Sequence, residues 1–384
     1  MTRVHGAWLD QPATQNVCRM LETGGAQALF VGGCVRNALI GAPVGDIDIA
    51  TDATPDRVIA LAKAAGLRAI PTGIDHGTVT VVAGGIAHEI TTFRRDVEAD
   101  GRHAIVAFST DVAEDAARRD FTMNALYADA RGQVQDPLGG IDDLRARRVR
   151  FIGDAIARIR EDYLRVLRYF RFHAWYGDQD AGLDGEALAA ISENLDGLEA
   201  LSRERVGGEM LRLLGAADPA RAMAGLAATG ALARLFPGSD AKALGPLVHL
   251  EQVVDVPPDP IRRLASLNVT EPMQALRLSR PQAARLDRLR AAVGACKTPA
   301  ELGYRLGAEE ARDVILLRGA MLEQPIKPAD LKCIDTGATA RFPISAKDLM
   351  PEFTGAALGE ELSRLEQTWI ASGFTATRDE LLIR

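Results

Sequence analysis

An α+β fold is predicted, with an N-terminal part built on a small mixed β-sheet and helices and an all-α remainder. Between Ala28 and about Ile152, short β-rich runs alternate with helical ones, and Gly and Pro punctuate the turns. After Ile152 the strand pattern stops. Apolar residues then recur at helical spacing in Ile156, Ile159, Leu164, Leu167 and Phe170, and through Ala/Leu-rich segments to the end.

In chain order, residues 1–25 read as helical and peripheral. Strands are expected at 28–31, 46–50, 78–82, 87–93 and 105–108, where apolar and β-branched residues alternate or cluster. Helices are expected at 55–65, 113–117 and 124–127. Proline clusters at 256–260 and 324–328 mark joints between helical subdomains.

Composition excludes several classes. No apolar stretch approaches the twenty or so residues of a membrane span, and the first ten residues are too polar for a secretory signal, so a cytoplasmic protein without membrane association is expected. Cys18, Cys34, Cys296 and Cys333 are scattered without a C-x-x-C, and six histidines are isolated, which argues against disulfides and zinc. The net charge of −7 argues against wholesale coating of nucleic acid. Yet nine arginines, no lysine and three acidic residues lie between Leu144 and Phe172, a local net charge of +6.

Four segments carry chemistry. In the first, Gly32 and Gly33 follow an apolar run and open a helix, where backbone N–H groups favour an anion. Asp46 and Asp48 follow within an apolar strand pattern. Strand side chains alternate faces, so the two carboxylates are expected on one face, a site for hard divalent cations, chiefly magnesium (Mg2+). In the second, Glu89 stands as a candidate third carboxylate, or as a solvent-facing strand charge. The charged, Gly-containing segment 96–102 after it reads as a mobile loop.

The third is Arg118-Arg-Asp-Phe-Thr-Met-Asn-Ala125, with two arginines suited to phosphate oxygens. The fourth is Glu161-Asp-Tyr-Leu-Arg-Val-Leu-Arg168, continuing to Arg171. On one helix, Asp162 and Arg165 at i and i+3 would project side by side. A weaker segment, Ser202-Arg-Glu-Arg205, is also explained by Ser202 as a helix cap.

Taken together, these strings resemble the class II tRNA nucleotidyltransferases of the tRNA nucleotidyltransferase/poly(A) polymerase family. That family carries Gly-Gly-x-Val-Arg-Asp followed by Asp-x-Asp, then Arg-Arg-Asp-Phe-Thr-x-Asn-Ala, Glu-Asp-x-x-Arg-x-x-Arg and Ser-x-Glu-Arg. One departure is Asn37, where the family has Asp. The resemblance is strong from Ala28 to Phe172, moderate to Leu214 and architectural afterwards.

It implies a catalytic nucleotidyltransferase head at 1–152, a helical neck that reads the base at 153–215, and a helical body and tail that bind tRNA at 216–384. It implies catalysis and metal binding at Asp46 and Asp48, and nucleotide binding at Gly33, Arg36, Arg119, Asp120, Asp162, Arg165, Arg168 and Arg171. Segment 96–102 resembles the family's flexible loop. The implied activity is template-independent addition of CCA to tRNA 3′ ends from CTP and ATP, with no obligate protein partner. A poly(A) polymerase, a CC-only or A-only enzyme, and a non-catalytic RNA-binding protein on the same scaffold are the alternatives.

The choice of residues has a chemical reason. Cytosine offers an acceptor at N3 beside a donor at N4, and adenine an acceptor at N1 beside a donor at N6. An Arg donor beside an Asp acceptor satisfies both, whereas uracil and guanine present the inverse order.

Overall fold

The computed structural model describes residues 2–100 and 103–383. They divide into two compact units, residues 1–237 and 238–384. The division therefore falls at Pro237, beyond both 152 and 215.

The first unit is built on nine strands: β1 (Leu29–Val31), β2 (Asp48–Thr51), β3 (Arg68–Gly73), β4 (Thr78–Ala83), β5 (Ile86–Thr92), β6 (Arg94–Asp100), β7 (His103–Phe108), β8 (Tyr127–Asp129) and β9 (Val134–Gln135). Seven form one sheet in the order β3-β4-β5-β2-β1-β8-β9, and β6 and β7 pair separately as a hairpin. The β2–β5 pair is parallel; its neighbours in the sheet pair antiparallel.

β1 is apolar throughout because it is buried throughout. β4 and β5 are tied by six register pairs, among them Thr78 and Thr91, whose hydroxyls hydrogen-bond at 3.0 Å. The expected strand at 46–50 begins only at Asp48, and Asp46 lies in the bend before it. Strands β3, β8 and β9 and the first residues of β6 carry no strong alternation and were not expected. The helix expected at 124–127 is instead a 3-10 turn, Thr122–Asn124, leading into β8.

The N-terminal helices are not peripheral. Helix Pro12–Thr23 buries Val17, Cys18, Met20 and Leu21, and Trp8 packs edge-on against Phe30 with ring centroids 5.0 Å apart. Burying a side chain of Leu or Met size contributes about 1.5–3 kcal/mol, which fixes this helix to the sheet.

The 96–102 segment also differs from expectation. Its residues up to Asp100 belong to β6, paired with the alternating β7, while Gly101 and Arg102 lie outside the described residues.

The Arg-rich stretch is two helices, Ala155–Glu161 and Leu164–Tyr176, not one. Asp162 interrupts them with extended backbone (φ −153°, ψ 102°), and its Oδ1 accepts from Leu164 N at 3.1 Å. A short acceptor side chain competing for backbone donors favours such a break. Leu164, Leu167 and Phe170 are buried as expected. Phe121, Phe151, Tyr169 and Phe172 form an aromatic cluster that clamps the 118–125 segment onto helix Leu164–Tyr176.

The second unit is helical. Helix Pro299–Met321 bends at Gly307, whose φ of +80° is left-handed. Within this unit buried Arg262 bonds Glu251 at 2.8 Å and Asp313 at 2.7 Å, and buried Arg263 bonds Glu251 at 2.7 Å, whereas buried Arg318 donates to the backbone carbonyls of Ala292, Val293, Ala295 and Lys297. Trp369, Leu365, Leu349, Ile344 and Leu381 form a terminal apolar cluster. Among the described residues no helix is long and apolar enough to cross a membrane.

Candidate active site

Asp48 on β2 lies in parallel register with Glu89 on β5. Residues in register share a face, and both line one cavity of about 350 Å³, whose wall also includes the buried Ile49. Burial pushes the Asp48 carboxyl up to about 6, helped by the negative charge of Glu89 and resisted by Arg119; Asp46, exposed at the bend, adds a smaller upward push. These are hard oxygen donors under mutual repulsion, a donor set that suits a divalent cation. Among the described residues no three His, Cys, Asp or Glu side chains gather closely enough to hold a metal by themselves. Substrate oxygens would have to complete the coordination.

The opposite wall is basic. Asp120 is buried. Its Oδ1 accepts from Phe121 N (2.9 Å) and Asn124 Nδ2 (3.0 Å), and its Oδ2 accepts from Arg168 Nε (2.7 Å) and Nη2. Burial raises its pKa, but Arg168 and these donors outweigh that and hold it down. Asp120 thus fixes the Arg168 guanidinium along the cavity wall.

Asp162 and Arg165 line the same cavity. They are not bonded to each other through their side chains. Asp162 Oδ2 accepts from Arg205 Nη2 at 2.6 Å, whereas Arg165 donates to Glu161 Oε2 (2.6 Å), Arg158 O (2.9 Å) and Arg118 O (2.9 Å). The expectation of one helix carrying both is corrected; they converge across the break at Asp162. Ser202 caps helix Arg203–Leu214 and so presents Arg205.

Four expected residues, Gly33, Arg36, Asp46 and Arg171, are not among those lining the cavity, and Asp46 stands exposed in the bend before β2. Arg36 is buried, with donors engaged by Asn124 Oδ1 (2.8 Å), Asn37 Oδ1 (3.0 Å) and Tyr176 Oη (2.8 Å), and its guanidinium lies 4.0 Å from the Tyr176 ring centroid. It ties helix Gly33–Leu39 to helix Leu164–Tyr176 rather than lining the cavity. Asn37, the departure from the family pattern, serves this scaffold. Arg171 donates to buried Glu209 at 2.5 Å, behind Arg168. Gly33 opens its helix after Gly32, whose φ of +68° favours glycine; a Cβ on Gly32 would sit 3.4 Å from Asn124 Oδ1 and 3.7 Å from Arg119 Nη1.

Arg119 lines the cavity and is gripped from behind by Asp115 and Tyr127. Asp115, Tyr127, Asn124, Glu209 and Arg94 are not picked out by the sequence, whereas Arg118, one of its two adjacent arginines, does line the cavity. The i, i+3 and i, i+4 spacing of Asp115 to Arg118 and Arg119 was the available signal.

Residues 28–150 match the Poly A polymerase head domain family, and residues 182–242 match the family described as a probable RNA and SrmB-binding site of polymerase A. A solved structure of the Bacillus stearothermophilus CCA-adding enzyme in complex with CTP aligns with a TM-score of 0.75 at 31% identity, covering 94% of this chain and 92% of that one. The chain belongs to the CCA-adding enzyme family.

Among curated CCA-adding enzymes, the one from Geobacillus thermodenitrificans is 43% identical over 224 residues, 58% of this chain and 54% of that protein. The human mitochondrial CCA tRNA nucleotidyltransferase 1 is 45% identical over 186 residues, 48% of this chain and 43% of that protein. The chain spans about half the length of the curated relatives it matches. The Thermotoga maritima CCA-adding enzyme complexed with tRNA shares the fold, with a TM-score of 0.70 at 17% identity.

Proposed function

We propose that this protein adds C, C and A to the 3′ end of tRNA from CTP and ATP, without a nucleic-acid template. The observation that carries this reading is one cavity lined by both the Asp48 carboxylate and the Asp162/Arg165 pair. A catalytic carboxylate beside a base reader is what templated-by-protein nucleotide addition requires.

Asp46 and Asp48 would hold magnesium, which supplies activation of the attacking 3′-hydroxyl and neutralises charge on the leaving pyrophosphate. Arg119 lines the cavity with Asp48, lowers its carboxyl pKa, and would balance phosphate charge. Arg168, held by Asp120, would form the wall of the nucleotide pocket. At the base, Arg165 would donate to N3 of cytosine or N1 of adenine, and Asp162 would accept from the exocyclic amine. The Asp162 carboxylate retains lone pairs beyond those used by Arg205 and Leu164. Uracil and guanine would set a ring N–H donor against the Arg165 donors and a carbonyl oxygen against the Asp162 carboxylate, which discriminates against them.

The second unit would grip the acceptor arm by shape and phosphate contacts. The compartment proposed is the cytoplasm; the four free cysteines fit a reducing compartment.

The test is incubation of the full chain with tRNA ending before CCA, CA or A, each with single nucleotides. Addition of C to the first two substrates and of A only to the third is expected. Repeated A addition to any 3′ end would point to poly(A) synthesis, and no incorporation with magnesium present would sink the proposal.

A further inference from the structure

We infer that Asp115 is a positioning residue for nucleotide binding, holding Arg119 and Arg118 so that Arg119 presents its Nη1 group to the part of the nucleotide common to CTP and ATP. This rests on the proposed nucleotidyltransferase reading. Asp115 lies on the short helix Val112–Ala117 and is 1% exposed. Its Oδ1 accepts from Arg118 Nε at 2.8 Å. Its Oδ2 accepts from Arg119 Nη2 (2.9 Å), Arg119 Nε (3.3 Å) and Tyr127 Oη (2.7 Å). Tyr127 Oη in turn accepts from Arg119 Nε at 3.0 Å.

Arg119 is therefore gripped at Nε and Nη2, on the side away from the cavity. Its Nη1 points toward Gly32, and its charge reaches Asp48, where it lowers the carboxyl pKa. Arg119 lines the cavity while Asp115 does not. A long arginine side chain left free has many rotamers, and two adjacent guanidinium groups repel. A single buried carboxylate shared between them removes both costs before the nucleotide arrives.

The grip lies on the side of the cavity next to Asp48, whereas base selection is assigned to Asp162 and Arg165. Losing it should weaken CTP and ATP alike and leave base choice intact. This separates positioning from a merely structural role, which would alter folding without a nucleotide-specific signature.

The test is calorimetric binding of CTP and ATP to the full chain, with magnesium, for wild type, Asp115→Asn, Arg119→Ala and the double variant. Asp115→Asn should raise both dissociation constants about ten- to a hundredfold, with their ratio and the rejection of UTP unchanged. In the Arg119→Ala background the same change should add less than about twofold, since the effect runs through Arg119. Unchanged affinity in Asp115→Asn, or a fully additive loss in the double variant, would overturn the inference. Should Asp115→Asn fail to fold, Tyr127→Phe removes two bonds of the network, those to Asp115 and from Arg119; a smaller rise for both nucleotides, absent in the Arg119→Ala background, is expected, and no rise overturns the inference. A wild type that binds neither nucleotide would instead refute the proposed function.

Discussion

Asp48 and Glu89, forty-one residues apart in sequence, stand side by side in parallel register on β2 and β5 and face the same cavity. Asp46 lies exposed in the bend before β2, near enough for its charge to act on Asp48. In the proposed reaction Asp46 and Asp48 are metal ligands and Glu89 is a neighbour that tunes them. Asp46→Ala or Asp48→Ala should each cut the rate of transfer roughly a thousandfold or more, with tRNA binding and melting temperature nearly unchanged. Glu89→Gln should cost less, about ten- to a hundredfold. Single-turnover incorporation of CMP measures all three, and near-normal turnover in Asp46→Ala or Asp48→Ala would refute the metal assignment.

Base choice should reside in Asp162 and Arg165. Asp162→Ala removes the acceptor for the exocyclic amine and should weaken discrimination against UTP and GTP. Arg165→Ala should depress use of both CTP and ATP. A lost hydrogen bond to a charged group costs on the order of 1.5–3 kcal/mol, about ten- to a hundredfold in selectivity. Relative incorporation of the four nucleotides onto tRNA lacking CCA is the measurement. Wild-type preference in both variants would make this pair structural.

The β6–β7 hairpin springs from Arg94 at the edge of the cavity. A purine needs more room than a pyrimidine, and an element at the rim can accompany that change. Shortening the hairpin between residues 97 and 104 should impair AMP addition more than CMP addition. Parallel assays on tRNA ending in CC and on tRNA lacking CCA decide it; equal loss counts against a switching role.

Asp115 should also make stability depend on pH. Burial pushes its carboxyl up, but Arg119 and Arg118 together outweigh burial and hold it down to about 2 from an ordinary 3.8. A carboxyl lowered in the folded state contributes stability above its unfolded value, and that contribution is lost as pH falls from about 4 toward 2. Asp115→Asn should be less stable than wild type at pH 7, and the gap should narrow by roughly 2 kcal/mol as the pH falls through that window. Urea unfolding at several pH values tests this, and a constant gap would show that the charge of Asp115 does not contribute.

The sequence alone determined the α+β head, the helical remainder and most of the residues that line the cavity. Period-2 runs at β4 and β5, the paired glycines before helix Gly33–Leu39 and the strings around Asp48, Asp120 and Arg168 are local signals. Local backbone preference and a motif's spacing suffice to read them. Only the tertiary structure decided which of those side chains meet. The Asp48–Glu89 register depends on how β2 and β5 pack, not on either strand's own pattern. The break at Asp162 competes with a helical pattern that reads as continuous, and the backbone settles it by giving Leu164 N a side-chain acceptor. Arg36 and Arg171 carry the composition of nucleotide ligands, yet they turn to Asn124, Tyr176 and Glu209 because a guanidinium beneath the surface must find its partners there. Asp115 shows the converse: an ordinary helical carboxylate by sequence, it becomes the anchor of two arginines once β8 brings Tyr127 against it.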